Sequence, residues 1–293
     1  MKPEIVFDMP DLDYRKVKAA SISGLKVIEA NSPAHYKASL TAPRKVTPAM
    51  VFGVCLHHLL LTPDAKPRFV AVPKEFLTDG GAISNAKAAR EWKEAQANAG
   101  FDVIRPDEIE QANRMVEAIR RHPAGNVMFR NGKPEVSVFG EFSLPCGYSV
   151  DIKGRLDWLD DADAICDLKT CASALPDDIS SASDEHGWGI QAELYLQLYN
   201  RAAELAGLPP KSCFYWLAVE KEPPFDMVVY EYTAGHRTFY ADRLHLILTK
   251  YASCKKADRW PGYSPRIQPL PTHKWGNIRR ANKSLSIDQP VTV

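Results

Sequence analysis

The spacing of apolar residues divides this chain into a helical first part and an alternating second part. Residues 1–20 show little periodicity and read as an irregular arm. Ser21-Ile22-Ser23 opens a short helix reaching about residue 30, with a serine as N-cap. Asn31-Ser32-Pro33 ends it, and Pro33 is suited to begin the next turn. A second helix is expected over 47–61, started by Thr47-Pro48 and closed by Thr62-Pro63-Asp64. Residues 63–83 are rich in proline and glycine and predict a loop with one short strand over 68–72. Helices follow over 84–99 and 106–121, then a shorter turn over 122–130.

At Lys133-Pro134 the period switches from helical to alternating. Strands are expected over 135–143, 147–159 and 163–169. Asp160-Asp161-Ala162-Asp163 is a turn that makes the last two a hairpin. A long helix over 186–206 is ended by Gly207 and two prolines. Strands over 211–220 and 226–232 and a helix over 235–256 complete the pattern, and a proline-rich tail from 261 is expected to be extended.

Strand parity gives the hairpin its interest. Asp151, Lys153, Arg155 and Asp157 share one face of its first strand, with Ile152, Leu156 and Trp158 on the other and Gly154 between them. On the second strand Asp167 and Lys169 share a face with Ile165, while Ala164, Cys166 and Leu168 turn away. Two carboxylates on adjacent strands can hold a divalent cation, and an ammonium beside them can steer or deprotonate a water. The plainer alternative is a half-exposed hairpin with solvated charges. Asp64-Ala65-Lys66 and Glu91-Trp92-Lys93 repeat the acid-x-lysine spacing, but in a loop and on a helix, with no second acid on a neighbouring strand. Asp151-Ile152-Lys153 lies on the right strand, but at its start.

Two helices carry further candidates. Gly53 and His57 are one turn apart and share a face, and the glycine would let another backbone approach. His57 reads either as a metal ligand or as a core histidine. Gln191 and Tyr195 have the same spacing on the helix after the hairpin, and read either as site residues or as a surface glutamine and a core tyrosine. Glu141, on the preceding strand, reads either as an outer or supporting carboxylate or as a plain exposed residue.

Composition narrows the setting. At 293 residues with 45% hydrophobic and 25% charged residues, the chain has what a soluble globular core needs. It shows neither a membrane-length apolar run nor a signal-peptide layout. Its six cysteines have no paired spacing, which fits a reducing cytoplasm and speaks against a zinc or iron–sulfur site. Net charge is +1, so any nucleic-acid surface must be local. Lys255, Lys256 and Arg259, and the tail residues His273, Lys274, Arg279, Arg280 and Lys283, offer such patches or are solvated surface.

Taken together, four segments resemble the PD-(D/E)xK nuclease superfamily. The chain is most similar to its RecB-like branch and to the RecE-type, exodeoxyribonuclease VIII-like exonucleases of prophages. The resemblance spans about residues 20–250. It rests on Ile22-Ser23-Gly24-Leu25 with Ser32-Pro33-Ala34-His35-Tyr36-Lys37, on Gly53-x-x-x-His57, on Gly154-Arg155-Leu156-Asp157 with Asp167-Leu168-Lys169, and on Gln191-x-x-x-Tyr195. The proline of the superfamily's name is missing, and every metal and lysine position is filled.

That resemblance implies an α/β fold with a restriction-endonuclease-like core, a central mixed β-sheet flanked by helices, and an N-terminal helical segment. It implies an arm over 1–20, a nuclease domain over 21–260 with a helical part to 132 and the catalytic sheet beyond, and an extended basic tail over 261–293. Asp157, Asp167, the Leu168 carbonyl and His57 would hold Mg2+ or Mn2+, with His57 better suited to manganese. Lys169 would orient or deprotonate the attacking water and stabilise the phosphorane charge, Gln191 would contact a DNA phosphate or help place the nucleophile, Tyr195 would meet DNA, and Ser23 and Lys26 would receive a 5′ phosphate. The implied activity is 5′-to-3′ degradation of one strand of linear duplex DNA, leaving 3′ tails for strand annealing. A homo-oligomeric ring and a single-strand annealing protein as partner come with it. An endonuclease of the same superfamily, or a DNA-binding protein without catalysis, remain the alternatives.

Overall fold

The computed structural model describes residues 1–42, 46–144, 147–267 and 269–270. The first stretch holds β1 (Glu4–Val6), α1 (Asp11–Lys16), β2 (Ala20–Ser21), α2 (Ile22–Ala30) and α3 (Pro33–Ser39). Then come α4 (Pro48–Leu61), β3 (Phe69–Ala71), α5 (Lys87–Asn98), β4 (Asp102–Ile104), α6 (Pro106–Arg121) and α7 (Pro123–Met128). The second half runs β5 (Gly132–Ser143), β6 (Ser149–Asp160), β7 (Ala164–Cys171), α8 (Pro176–His186), α9 (Trp188–Ala206), β8 (Cys213–Glu220), β9 (Met227–Glu231) and α10 (Ala234–Ala257). The basic tail residues from His273 to Lys283 lie outside the described residues.

Local chemistry sets the ends of the helices. Thr47 accepts a hydrogen bond from the Met50 N–H, and Ser32 from the His35 N–H, each with proline next in the chain. α9 is entered from Gly187 and left at Gly207, both in the left-handed region that glycine tolerates.

Seven strands form one mixed sheet in the order β1-β5-β6-β7-β8-β9, with β2 joined to β6. β5, β6 and β7 are antiparallel neighbours, β7 and β8 are parallel, and β9 returns antiparallel on β8. On one face α2, α9 and α10 share a core with Val138, Ile152, Leu156 and Phe214. On the other, α4 and α6 pack through Phe52, Leu56, Met115 and Ile119 against Leu168 and Leu217. This is the expected restriction-endonuclease-like arrangement, a central mixed sheet with helices on both faces. No helix among the described residues is long and apolar enough to cross a membrane.

The structure departs from the sequence reading in three places. Residues 1–20 are not an irregular arm: β1 pairs with β5, and α1 lies over β6. The charged face of β6 is therefore covered, and Lys153 donates to the carbonyls of Tyr14 and Val17 at 2.9 and 2.8 Å. β4 adds a short parallel pair with β3, too brief for any alternation to register. α8 has one buried residue, Ile179, so its sequence carries no apolar stripe.

Candidate metal centre

The hairpin between β6 and β7 pairs at only two positions, Trp158↔Cys166 and Leu159↔Ile165. Beyond them β7 continues alongside β8 while β6 stays with β5, so the strands part. At that gap Asp157 replaces the missing ladder bond: its Oδ2 accepts the Leu168 N–H at 3.0 Å. An extended residue points its N–H and C=O to the same edge, so the Leu168 carbonyl faces this gap as well.

Asp157 also interrupts the alternation of β6. Leu156 and Leu159 both enter the α9-side core, whereas Trp158 packs with Leu61 and Cys166 on the other side. The β5–β6 ladder skips Glu135 and Asp157, and Glu135 adopts a left-handed backbone at φ 51°. This kink brings a third carboxylate to the site. His57 Nε2 lies 3.7 Å from Asp157 Oδ2, and its Nδ1 lies 4.0 Å from Glu135 Oε1. Ligand atoms of His57, Glu135 and Asp157 all fall within 4.8 Å of one another.

Asp167 turns to the opposite face, toward α9, and is 1% exposed. Its Oδ1 accepts from Gln191 Nε2 at 2.8 Å. Its Oδ2 pairs with Lys169 Nζ at 2.5 Å, off the direction of a hydrogen bond, and is otherwise unpartnered. Gln191 Oε1 takes contacts from both Lys169 and Lys26, each at 3.3 Å, and Lys169 also lies over the Trp188 ring. The two carboxylates thus stand at the parting of the strands, one against His57 and Glu135, the other against Gln191 and two lysines.

Burial, then the charge on Asp167, push the Asp157 carboxyl up to about 7, against His57 and Lys169. Lys26 is drawn down to about 8, first by burial and then by Lys169. The carboxylates of Asp157 and Glu135 with the His57 imidazole beside them, and the buried Asp167 carboxylate on the other side of Leu168, are a donor set that fits a divalent cation. The oxygen donors suit magnesium or manganese, and the histidine favours manganese.

The structure sets His57 and Asp157 together with Glu135 on one side of the sheet, and Asp167, Lys169, Gln191 and Lys26 together on the α9 side, with Leu168 bridging to Asp157. Other expectations change. Glu141 sits opposite Asp151, at the far end of β5 and β6, and pairs with the Met1 amino group. The carboxylate that β5 supplies is Glu135, which the kink turns toward His57 where the β5–β6 ladder skips it and Asp157. Ser23 is exposed, lies 3.2 Å from the Ser21 hydroxyl, and lines a different cavity from Lys26's surroundings. Tyr195 is buried, with its ring on Gly154, and so presents no surface for DNA. A Cβ on Gly53 would meet nothing within 4 Å, so this glycine opens toward a cavity rather than admitting a backbone.

A solved structure of a candidate exonuclease from Eubacterium rectale matches with a TM-score of 0.59 at 15% identity, covering 93% of this chain and 98% of that one. That likeness shows a shared fold. SSO0001 matches with a TM-score of 0.28 at 15% identity over 75% of this chain and 86% of its own, and nothing is drawn from it. No curated protein matches the sequence. A family profile spans residues 21–271, from β2 past α10, and so includes both carboxylates, Lys169 and Gln191. By that match the chain belongs to the family described as the PDDEXK-like domain of unknown function, DUF3799.

Proposed function

We propose that this protein is a metal-dependent deoxyribonuclease that degrades one strand of linear duplex DNA from its 5′ end. Membership of a PDDEXK-like family, together with a fold shared with a candidate exonuclease, supports a nuclease. The observation that carries the reading is that Asp157, bonded to the Leu168 N–H, and its neighbour Asp167, with Lys169 on it, stand on either side of the parting strands.

On this reading His57, Glu135, Asp157 and Asp167 are the groups that hold the cation. A bound divalent ion supplies Lewis-acid polarisation and a more acidic water. The chain's own residues do the rest. Lys169 holds a positive charge where negative charge develops on the phosphate and orients the attacking water. Gln191 fixes both Asp167 and Lys169, so the lysine is already aimed before substrate arrives. Lys26, beside Gln191, receives a phosphate of the bound strand. The products are 3′ tails suited to a single-strand annealing protein, and a ring of several copies would place basic residues around the duplex.

The test is digestion of end-labelled linear duplex and of covalently closed circles with Mg2+ or Mn2+. Mononucleotide release from the 5′ label, with circles intact, is the expected result. Equal cutting of closed circles would replace the exonuclease by an endonuclease, and a preference for the 3′ label would reverse the polarity.

A further inference from the structure

A cavity of about 620 Å³ lies beside His57, and the residues walling it form a closed circuit. From His57 the contacts pass to Glu135, then from Glu135 Oε2 to Arg155 Nε at 2.8 Å. Arg155 Nη1 donates to Asp11 Oδ1 at 3.3 Å, and Asp11 Oδ2 pairs with Arg68. From Arg68 the chain itself runs back through Lys66 and Thr62 to α4 and His57. All of these residues line the cavity.

The N-terminal side of this wall is anchored. Arg155 Nη2 donates to the Met9 carbonyl at 2.8 Å, and Lys153 holds the carbonyls of Tyr14 and Val17. The link from this anchored segment to the loop after α4 is the ion pair between Asp11 and Arg68. Burial works to raise the Asp11 carboxyl, but Arg15 and Arg68 outweigh it and hold it below the ordinary carboxylate value. Asp11 is therefore ionised wherever the enzyme would work.

We infer that Asp11 and Arg68 close a strap across the cleft, so that a nucleic-acid strand reaches the metal-binding residues by its end rather than from the side. The inference rests on the nuclease reading and adds the device that makes cutting end-dependent. The cleft, about 620 Å³, is lined by His57 and Glu135 at one side and by Asp11 and Arg68 at another, so a strand entering it meets the metal-binding residues. Lys66, Arg68 and Arg155 give its wall the cations a phosphate chain meets. The family profile begins at residue 21, so the Asp11 half of the strap lies ahead of the matched stretch.

Linear and circular single-stranded DNA of one sequence test this with the full chain. Arg68→Ala and Arg68→Glu break the strap without touching Arg155, and Arg68 is 43% exposed, so folding is not at stake. Arg68→Lys keeps the pair. With Mn2+, the wild type and Arg68→Lys cut the linear form, and the circle-to-linear ratio of rates rises about tenfold or more in Arg68→Ala and Arg68→Glu. An unchanged ratio in both variants, or a wild type that cuts circles as fast as linear strands, overturns the strap. The same DNAs are also bound without metal. There the wild type prefers the linear form, and Arg68→Glu loses that preference. If no form cuts either these strands or linear duplex, the nuclease reading has failed; if duplex alone is cut, that reading stands, and in both cases the binding preference decides the strap.

Discussion

Asp157 Oδ2 accepts the backbone N–H of Leu168 at 3.0 Å, across the point where β6 and β7 cease to pair. The same side chain faces His57 and feels the charge on Asp167, so it serves fold and site at once. Two substitutions separate these roles. Asp157→Asn keeps an acceptor for Leu168, whereas Asp157→Ala leaves a buried N–H unpaired at a cost of about 1–3 kcal/mol. Both lose metal-dependent cutting, and only the alanine variant loses thermal stability. Equal melting temperatures for the two would remove Asp157 from the ladder.

A pH dependence follows from the same carboxyl. Its value of about 7 in the fold stands above the ordinary 3.8, so the folded chain holds this proton more tightly than the unfolded one. Its contribution to stability therefore falls as pH rises from 3.8 to about 7, and the cost is complete above that. A cation at Asp157 must displace the proton at low pH and meets a carboxylate at high pH. The rise in melting temperature with added Mn2+ is expected to be small near pH 5.5 and to grow toward about pH 8. Asp157→Asn flattens that growth. A Mn2+ effect independent of pH in the wild type would mean that the ion binds elsewhere.

Lys169 and Asp167 form a pair whose acid is 1% exposed, so removing only the lysine strands a buried charge. Such a change costs about 3–5 kcal/mol. Lys169→Met is expected to fall in stability by that order, and adding Asp167→Asn to restore most of it without restoring cutting. In Lys169→Arg, where the charge is kept, turnover is expected to fall far more than DNA affinity, by about a hundredfold, since the lysine acts on developing charge. Loss of affinity at normal turnover would make Lys169 a binding residue.

Glu135 and Glu141 lie on the same strand six positions apart, and only Glu135 is within reach of His57. Glu135→Gln should reduce the stabilisation by Mn2+, and Glu141→Gln should leave it unchanged. Calorimetric titration of both variants checks this, and identical metal affinity in Glu135→Gln and the wild type would leave the cation with His57, Asp157 and Asp167.

What the sequence disclosed follows from distance along the chain and from regular geometry. Asp167, Lys169 and the faces of β7 were legible because alternation holds along that strand, and Gln191 because helical spacing holds along α9. Glu135 was hidden by the kink that makes it useful: parity fails where the ladder skips and φ turns positive. The role of residues 1–20 was hidden for another reason. Asp11 meets Arg155 144 positions away, and β1 is three residues long, so nothing local betrays either. Tyr195 misled because sharing a face with Gln191 normally means sharing surroundings. α9 is instead buried on nearly every side between the sheet, α2 and α10.

That burial makes Tyr195 a test of structure against binding. A Cβ at Gly154 would stand 3.0 Å from the Tyr195 ring and 3.2 Å from Leu198, so the glycine lets α9 sit close on β6 at the strand that carries Asp157. Gly154→Ala is expected to cost about 1–3 kcal/mol by overpacking and to shift α9, and with it Gln191, relative to Asp167. Cutting should fall together with stability. Tyr195→Phe keeps the ring and removes only the hydroxyl, so it should leave DNA affinity unchanged. If Tyr195→Phe weakens DNA binding while the melting temperature holds, the tyrosine reaches the strand after all, and α9 must move when DNA binds.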